Sequence, residues 1–390
     1  MAALATAAAN GYPGGAMTPN AQGRPLLVVA GERSGDRIAA RALAAFRDGG
    51  EANAFGIGGD ELAALGVELV AHVRDLSAIG VGAVAARLAA WLSAWARLRA
   101  EIDARRPRAA LLVDAPDVNL PLARVLTEQS VAVLLYVGPQ VWAWRRRRLA
   151  LLKERTRRVA LVLPFEKPLY DAAGVCASYV GHPLLDEPDP LSRDGARRAL
   201  GVGSDEPLVA LLPGSRRSEL EAHAAPMTDA ARILARRGVR TVFAPAPESV
   251  SPAQLDAARG AGCLVPGGAL DARDVLAACD AALVASGTAT LEAALLGTPL
   301  AVVYRLGFAS RALARAFVDV PYVGLPNWVA GRRVVPELLE DVTGESLARA
   351  ALELLVPANA ATMRRDFEGI RSALGPPGAA RRVAAMLREL

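Results

Sequence analysis

Ala285-Ser286-Gly287-Thr288-Ala289-Thr290-Leu291-Glu292 follows directly on the apolar run Ala281-Ala282-Leu283-Val284. This is the pattern of a buried strand handing over to a helix start that holds an anion. Gly287 lets backbone N–H groups approach a phosphate closely, Ser286 and Thr288 add hydroxyl donors, and the positive end of the helix dipole faces the ligand. One turn on, Glu292 is positioned to accept hydrogen bonds from ribose hydroxyls. The same octapeptide also reads as an ordinary Ser/Thr helix cap.

A second junction of the same kind favours the ligand. Leu208-Val209-Ala210 runs into Leu211-Leu212-Pro213-Gly214-Ser215-Arg216, so Gly214, Ser215 and a guanidinium stand behind a second apolar strand. Arg216 can fork two donors onto a diphosphate and stabilise a departing nucleoside diphosphate. Two such junctions in one α/β unit point to a diphosphate-bearing ligand.

Working outward, a chain of 390 residues exceeds what a single core usually supports, so two lobes are expected. The formal charge is +5, but only Lys153 and Lys167 are lysines among 45 basic residues. The arginine richness therefore reads as a compositional habit, and nucleic acid is not expected as a partner. The excess concentrates in Trp142-Ala143-Trp144-Arg145-Arg146-Arg147-Arg148, which suits an anionic surface or substrate, or simply a solvated helix face. Cys176, Cys263 and Cys279 lie in or beside apolar segments and read as buried thiols of a reducing compartment. His72, His182 and His223 lack metal-ligand spacing, so neither a metal site nor a resident cofactor is expected.

Strand-like runs at Leu26–Ala30, Ala52–Ile57, Ala109–Val113, Val131–Tyr136 and Val159–Leu163 alternate with helical patterns, which makes a parallel α/β lobe. The proline-rich stretch from Pro183 toward Asp205 has linker composition. A second α/β lobe follows, with strands near Leu208–Leu212, Thr241–Ala244, Ala281–Val284 and Leu300–Val303. The expected division is a disordered extension over 1–23, an N-terminal Rossmann-like acceptor and lipid lobe over 24–188, a C-terminal Rossmann-like nucleotide lobe over 189–356, and helices over 357–390 that pack back on the first lobe or elsewhere. This is the two-lobed architecture of many glycosyltransferases, two parallel-sheet lobes facing across a cleft, with ligands beyond the carboxyl ends of the strands. The apolar stretches are too interrupted for a bilayer span.

In the first lobe, Asp114-Ala115-Pro116-Asp117-Val118-Asn119 follows Leu111-Leu112-Val113. Asp114, read as the last residue of the buried run, is the candidate general base or else a structural cap, and Asp117 reads as the cap of the next helix. The opening loop Ala30-Gly31-Glu32-Arg33-Ser34-Gly35-Asp36 faces the same cleft with Glu32, Ser34, Gly35 and Asp36, of which Ser34 and Asp36 can cap or bind. His182, in Gly181-His182-Pro183, either meets substrate at the hinge or is held there by hydrogen bonds. Trp142 and Arg145 combine an apolar body with a phosphate-binding charge, or are a core tryptophan beside a solvated helix. Val84, Leu88, Trp91, Leu92, Trp95, Leu98 and Ile102 recur at helical spacing, as a core-facing helix or an interfacial one would.

These blocks, together with Leu163-Pro164-Phe165-Glu166, Gly181-His182-Pro183-Leu184-Leu185-Asp186, Leu325-Pro326-Asn327 and Ala330-Gly331-Arg332, closely resemble the lipid-A-disaccharide synthase family from about Leu26 to the C-terminal helices. The resemblance implies a GT-B glycosyltransferase. It would transfer 2,3-diacylglucosamine from UDP-2,3-diacylglucosamine to the 6-hydroxyl of 2,3-diacylglucosamine 1-phosphate (lipid X), with inversion and release of UDP and without a metal. It also implies Asp114 as the base, Arg216 as the arginine at the diphosphate and Asn327 as a donor-side residue, in a cytoplasmic protein held peripherally at the inner membrane. Gly138 departs from the serine usual before Pro139, the helix after Gly80 is richer in alanine than is common, and the first 23 residues have no counterpart. Residues past Ser346 leave a homodimer by helix exchange open. Competing readings are another two-lobed UDP-sugar enzyme, such as the peptidoglycan glucosaminyl transferase or an epimerase, and a catalytically silent UDP-sugar-binding regulator.

Overall fold

A computed structural model of the chain describes residues 23–48, 53–76, 83–142, 146–247, 249–268, 270–305, 321–339 and 341–390; side chains over 83–88 are left undescribed. The expected N-terminal extension, the Gly80–Ala83 stretch ahead of the long apolar helix, Trp144 and Arg145 therefore lie wholly or largely outside the described residues. The chain divides into two compact units, one running to Glu187 and regaining Pro376–Leu390, the other Pro188–Gly375.

The first unit is a seven-stranded sheet in the order β3-β2-β1-β4-β5-β6-β7, and each neighbouring pair is parallel. The strands are β1 Leu26–Ala30, β2 Ala54–Gly58, β3 Glu68–His72, β4 Ala109–Val113, β5 Ala132–Tyr136, β6 Arg158–Leu161 and β7 Ala177–Tyr179. β1 and β4 are buried throughout, which is why they read as unbroken apolar runs rather than alternating ones. β3 and β7, at the two edges, carry too little apolar signal to be found in advance. The helix Ala83–Arg105 turns Ala94, Leu98 and Ile102 into the core, with Trp91 and Trp95 packed beside them. That favours the core-facing reading of its stripe, although Leu92 is 60% exposed.

The second unit is a parallel sheet in the order β12-β11-β10-β8-β9, with β8 Leu208–Leu212, β9 Arg240–Phe243, β10 Ala281–Ala285, β11 Leu300–Val303 and β12 Glu337–Leu338. The two-residue β12 had no sequence signal. The stretch expected to be a linker is instead partly structured, with a 3-10 turn at Pro183–Asp186 and a helix at Arg193–Leu200. Proline content misled because Arg197, 2% exposed, ties that helix to the second unit through Gly203 O at 2.7 Å and Ala278 O at 2.8 Å.

The C-terminal helices part company. Pro357–Leu374 packs within the second unit on the helices Thr288–Leu295 and Leu325–Ala330, whereas Ala379–Arg388 lies along Arg33–Arg47 in the first. Polar contacts hold this last helix. The Asp186 carboxylate accepts from the Gly378 and Ala380 N–H groups, Arg382 donates to Val180 O at 2.7 Å, and Arg388 donates to Ala45 O at 2.7 Å. Among the described residues no helix is long and apolar enough to cross a membrane. Cys263 and Cys279 are buried as expected, but Cys176 is exposed because it stands at the start of an edge strand.

Candidate active site

In the first unit the strand order reverses between β1 and β4, since the chain leaves β1 toward β2 and leaves β4 toward β5. Ligands of open parallel sheets sit at such a switch point, beyond the carboxyl ends of the strands. Asp114 stands there. The strand stops at Val113, as expected, and Asp114 (φ 50°) and Ala115 (φ 41°) both take left-handed backbone. For non-glycine residues this costs of the order of 1–3 kcal/mol each. The loop after β1 makes room, because a Cβ on Gly31 would come within 2.6 Å of the Ala115 Cβ.

Asn119, 0% exposed, steadies the turn. Its side-chain amide donates to Val113 O at 3.0 Å and to Asp114 O at 2.7 Å. Asp117 is not the helix cap: Ala115 occupies that position with no side-chain bond, and Asp117, exposed in the first turn, pairs with Arg148. Glu32 and Ser34 are exposed at the start of Arg33–Arg47, while Gly35 is buried under Ala30 and Val113. Asp36, expected in the acceptor cleft, is 2% exposed. Its carboxylate accepts from Gly59 N at 2.7 Å and Glu61 N at 3.0 Å, capping the helix Asp60–Ala64.

The end of β5 is strained too, with Val137 at φ 67°, an outlier for a β-branched residue. Next comes Gly138, where a Cβ would meet Tyr170 Oη at 2.6 Å. The tyrosine therefore fills the room a serine side chain would need, and its hydroxyl donates to Pro139 O at 2.9 Å. Trp142 is half-buried, edge-on to Phe165 with centroids 5.3 Å apart, and its indole N–H donates to Glu166 Oε1 at 3.0 Å. Glu166 is 1% exposed, and burial pushes its carboxyl up to about 8 despite bonds from Trp142 and the Leu163 N–H. His182 is buried, accepts from Leu184 N at 3.2 Å, and is pushed down to about 4 by burial. The hydrogen bond is the one that the hinge reading of His182 expects.

The second unit repeats the logic. Its switch point falls between β8 and β10, so the Gly214 and Gly287 loops leave neighbouring parallel strands at their carboxyl ends. Gly287, at φ 157° and ψ −166°, begins the helix Thr288–Leu295 with no side-chain cap, leaving first-turn N–H groups without partners inside the helix. Gly287 and Thr288 are exposed, and Glu292 is half-buried. Ser286 Oγ donates to Val323 O at 3.0 Å, so its hydrogen secures a neighbouring segment.

The Gly214 loop is organised differently from expectation. Glu219 accepts from Ser215 N at 2.9 Å and Arg216 N at 3.2 Å, so a carboxylate already caps this helix. The Arg216 side chain, 66% exposed, lies 3.5 Å from Glu219. Buried His223 ties the loop to the end of β11: Nδ1 donates to Pro213 O at 2.9 Å, while Nε2 accepts from Arg305 N at 3.0 Å. Burial lowers its basicity, which keeps the neutral form that this pair of bonds needs.

Asn327 is 0% exposed and its amide is engaged within the unit. It donates to Val335 O at 3.0 Å and Glu337 Oε1 at 2.8 Å, and accepts from Val334 N and Val335 N. Glu337 accepts in turn from Gly324 N at 2.8 Å and Val323 N at 3.1 Å. Asn327 thus connects through Glu337 and Val323 to Ser286, as a support of the Gly287 loop. Residue types and spacing alone did not mark Asn119, Glu166, Glu219, His223 and Glu337 as site residues. Only Glu219 had a usable signal, an acidic residue three places into a helix start.

The family model for lipid-A-disaccharide synthetase matches residues 26–374. The chain belongs to that family. Curated lipid-A-disaccharide synthases of Syntrophus aciditrophicus and Myxococcus xanthus are 40% and 41% identical to it, each over 94% of this chain and 97% of the relative. Like them it is an enzyme, a glycosyltransferase of lipid A biosynthesis. Solved structures agree on the fold. MurG of Acinetobacter baumannii has a TM-score of 0.56 at 14% identity over 94% of this chain and 99% of its own, and the UDP co-structure of Staphylococcus aureus MnaA a TM-score of 0.63 at 11% identity over 92% and 94%. The two Rossmann-like sheets of this synthetase-family chain are those of the GT-B class, which acts on nucleotide sugars.

Proposed function

We propose that the protein transfers 2,3-diacylglucosamine from UDP-2,3-diacylglucosamine to the 6-hydroxyl of lipid X, with inversion at the anomeric carbon. Asp114 takes the hydroxyl proton as O6 attacks C1 from the face opposite UDP. The bond from C1 to the diphosphate oxygen breaks, its electron pair leaves on UDP, and one inverted glycosidic bond results. The Gly287 loop with its helix N-terminus and the Arg216 guanidinium hold the diphosphate and stabilise the charge that develops there. Glu32, Ser34 and Trp142 belong to the acceptor side, as does Arg145. Diacyl tails need a lipid-like surface, so the enzyme works as a peripheral protein on the cytoplasmic face of the inner membrane, with exposed Leu92 and basic Arg146 and Arg147 as contacts.

The observation that carries this reading is Asp114 on a strained turn at the switch point of the first sheet, in a chain of this family. The test is UDP release from UDP-2,3-diacylglucosamine by wild type and Asp114→Ala, with and without lipid X in detergent. Release that depends on lipid X and falls about 100-fold or more in the variant is the expected result for loss of a general base. No release from wild type would favour a silent UDP-sugar-binding protein. Full activity in Asp114→Ala would move the base elsewhere.

A further inference from the structure

We infer that Asn119 is a positioning residue for Asp114: its amide clamps the two carbonyls that flank the left-handed turn and so aims the carboxylate. Two consecutive non-glycine residues in left-handed backbone revert to extended or right-handed forms unless the surroundings over-determine them. Asn119 supplies that constraint. One Nδ2 carries both bonds, to the last strand carbonyl, Val113 O, at 3.0 Å and to the first turn carbonyl, Asp114 O, at 2.7 Å. The strand, the strained residue and the first turn of the helix Pro116–Glu128 are thereby pinned to one buried group.

The amide orientation is dictated rather than free. Flipping it would bring Oδ1 against two carbonyl oxygens, so Nδ2 must face them. Among the described residues Oδ1 accepts no hydrogen bond although it is buried. A group kept buried with one half unpaired is present for what its other half does. The turn has no slack to substitute for the clamp, since Gly31 abuts Ala115 on one side and Asp114 N is bound to Tyr136 O on the other at 2.9 Å.

The inference rests on Asp114 as the base, and the test separates the two. Steady-state kcat and KM, melting temperature and UDP affinity are measured for Asn119→Asp, Asn119→Ser, Asn119→Ala, the double variant Asn119→Ala with Ala115→Gly, and Asp114→Asn. Asn119→Asp turns oxygens onto the carbonyls and should lower kcat at least about tenfold, with both KM values and UDP affinity within about twofold. Asn119→Ser keeps one donor and should lose less. The double variant should recover most of the loss seen in Asn119→Ala, because glycine takes left-handed backbone without the Cβ penalty. A purely structural asparagine would show no such rescue.

Wild-type kcat in Asn119→Ser and Asn119→Asp alongside a collapsed Asp114→Asn overturns the positioning role and leaves the base in place. Full activity in Asp114→Asn overturns the base and this inference with it. If Asn119→Ala does not fold, the serine and aspartate variants decide.

Discussion

The two sheets of this enzyme present their carboxyl edges in opposite ways. In the second unit every described residue with left-handed backbone is a glycine, Gly214 and Gly287 among them, whereas the first unit also puts Asp114, Ala115 and Val137 there. A glycine in that conformation stores no strain and leaves the backbone bare, which suits a loop that a diphosphate must approach closely. An aspartate in that conformation is held at a cost and points its carboxylate where extended backbone would not. On the proposed reading, one edge is approached by the diphosphate and the other aims a side chain.

The largest expected effect concerns pH and separates the edges by sign. Burial raises Glu166 in the first unit to about 8, above its unfolded value of about 4.3. The folded state therefore holds its proton more tightly than the unfolded chain does. Stability from this group is fully present below the unfolded value and is lost as pH rises through about 8, by at most about 5 kcal/mol at about 1.4 kcal/mol per pH unit. In the second unit His223 is shifted down by burial, so its contribution is present above about 6.5 and is lost as pH falls through its folded value. His182 gives the first unit an acid limb as well, down to about 4. Among the described groups that burial shifts, Glu166 is the one whose alkaline loss falls near neutrality; the thiols Cys263 and Cys279, also raised by burial, add theirs only above about 8.5. Melting temperatures of wild type and Glu166→Gln from pH 5 to pH 9 should converge or cross as pH rises, because glutamine cannot ionise. A constant gap across that range would remove the asymmetry.

Next in size is Gly214→Ala. A Cβ there would sit 2.5 Å from the Glu219 Cβ, at φ 121°, so strain and overpacking combine to cost about 3 kcal/mol or more. Gly287→Ala meets nothing within 4 Å and should cost only the backbone penalty of about 1–3 kcal/mol. Its affinity for UDP should nonetheless fall by about tenfold, as the loop loses the shape that brings its N–H groups to the ligand. Calorimetric melting and UDP titration check both. Equal stability losses would mean that Glu219 yields easily and does not brace the loop.

The same contrast governs what could be read in the sequence. The strands β1, β4, β8 and β11 were legible to the residue because burial on both faces makes them continuous apolar runs, and the glycine loops were legible because glycine is rare between a strand and a helix without reason. Edge strands β3, β7 and β12 were not, since their pairing comes from neighbours rather than composition. Nor was the conformation of Asp114, because nothing in Asp114-Ala115-Pro116 marks a left-handed turn; the clamp that imposes it comes from Asn119, one helical turn away. Asp36 reads in the sequence as able to cap or to bind, and Asn327 as a donor-side residue only through the family resemblance. Each is a buried polar residue engaged within its own unit, Asp36 by the backbone N–H groups of Gly59, Glu61 and Leu62 and Asn327 by the backbone of Val334 and Val335 and the Glu337 carboxylate.

The smallest predicted effect is the most direct test of stored strain. Ala115→Gly removes the Cβ that makes φ 41° unfavourable. Against this, glycine increases the entropy of the unfolded chain by roughly 0.5–1 kcal/mol relative to alanine. The two terms nearly balance if the strain is small, and leave a net gain of about 1 kcal/mol if it reaches the middle of the usual range. An Ala-to-Gly change adds no contact, so a rise in stability at this helix-start turn would come from relieved backbone strain. Chemical denaturation of wild type and Ala115→Gly reads the sign. A loss of about 1 kcal/mol, the ordinary result of placing glycine at an unstrained position, would show that the first unit holds Asp114 without strain and that the two edges differ in residue type alone.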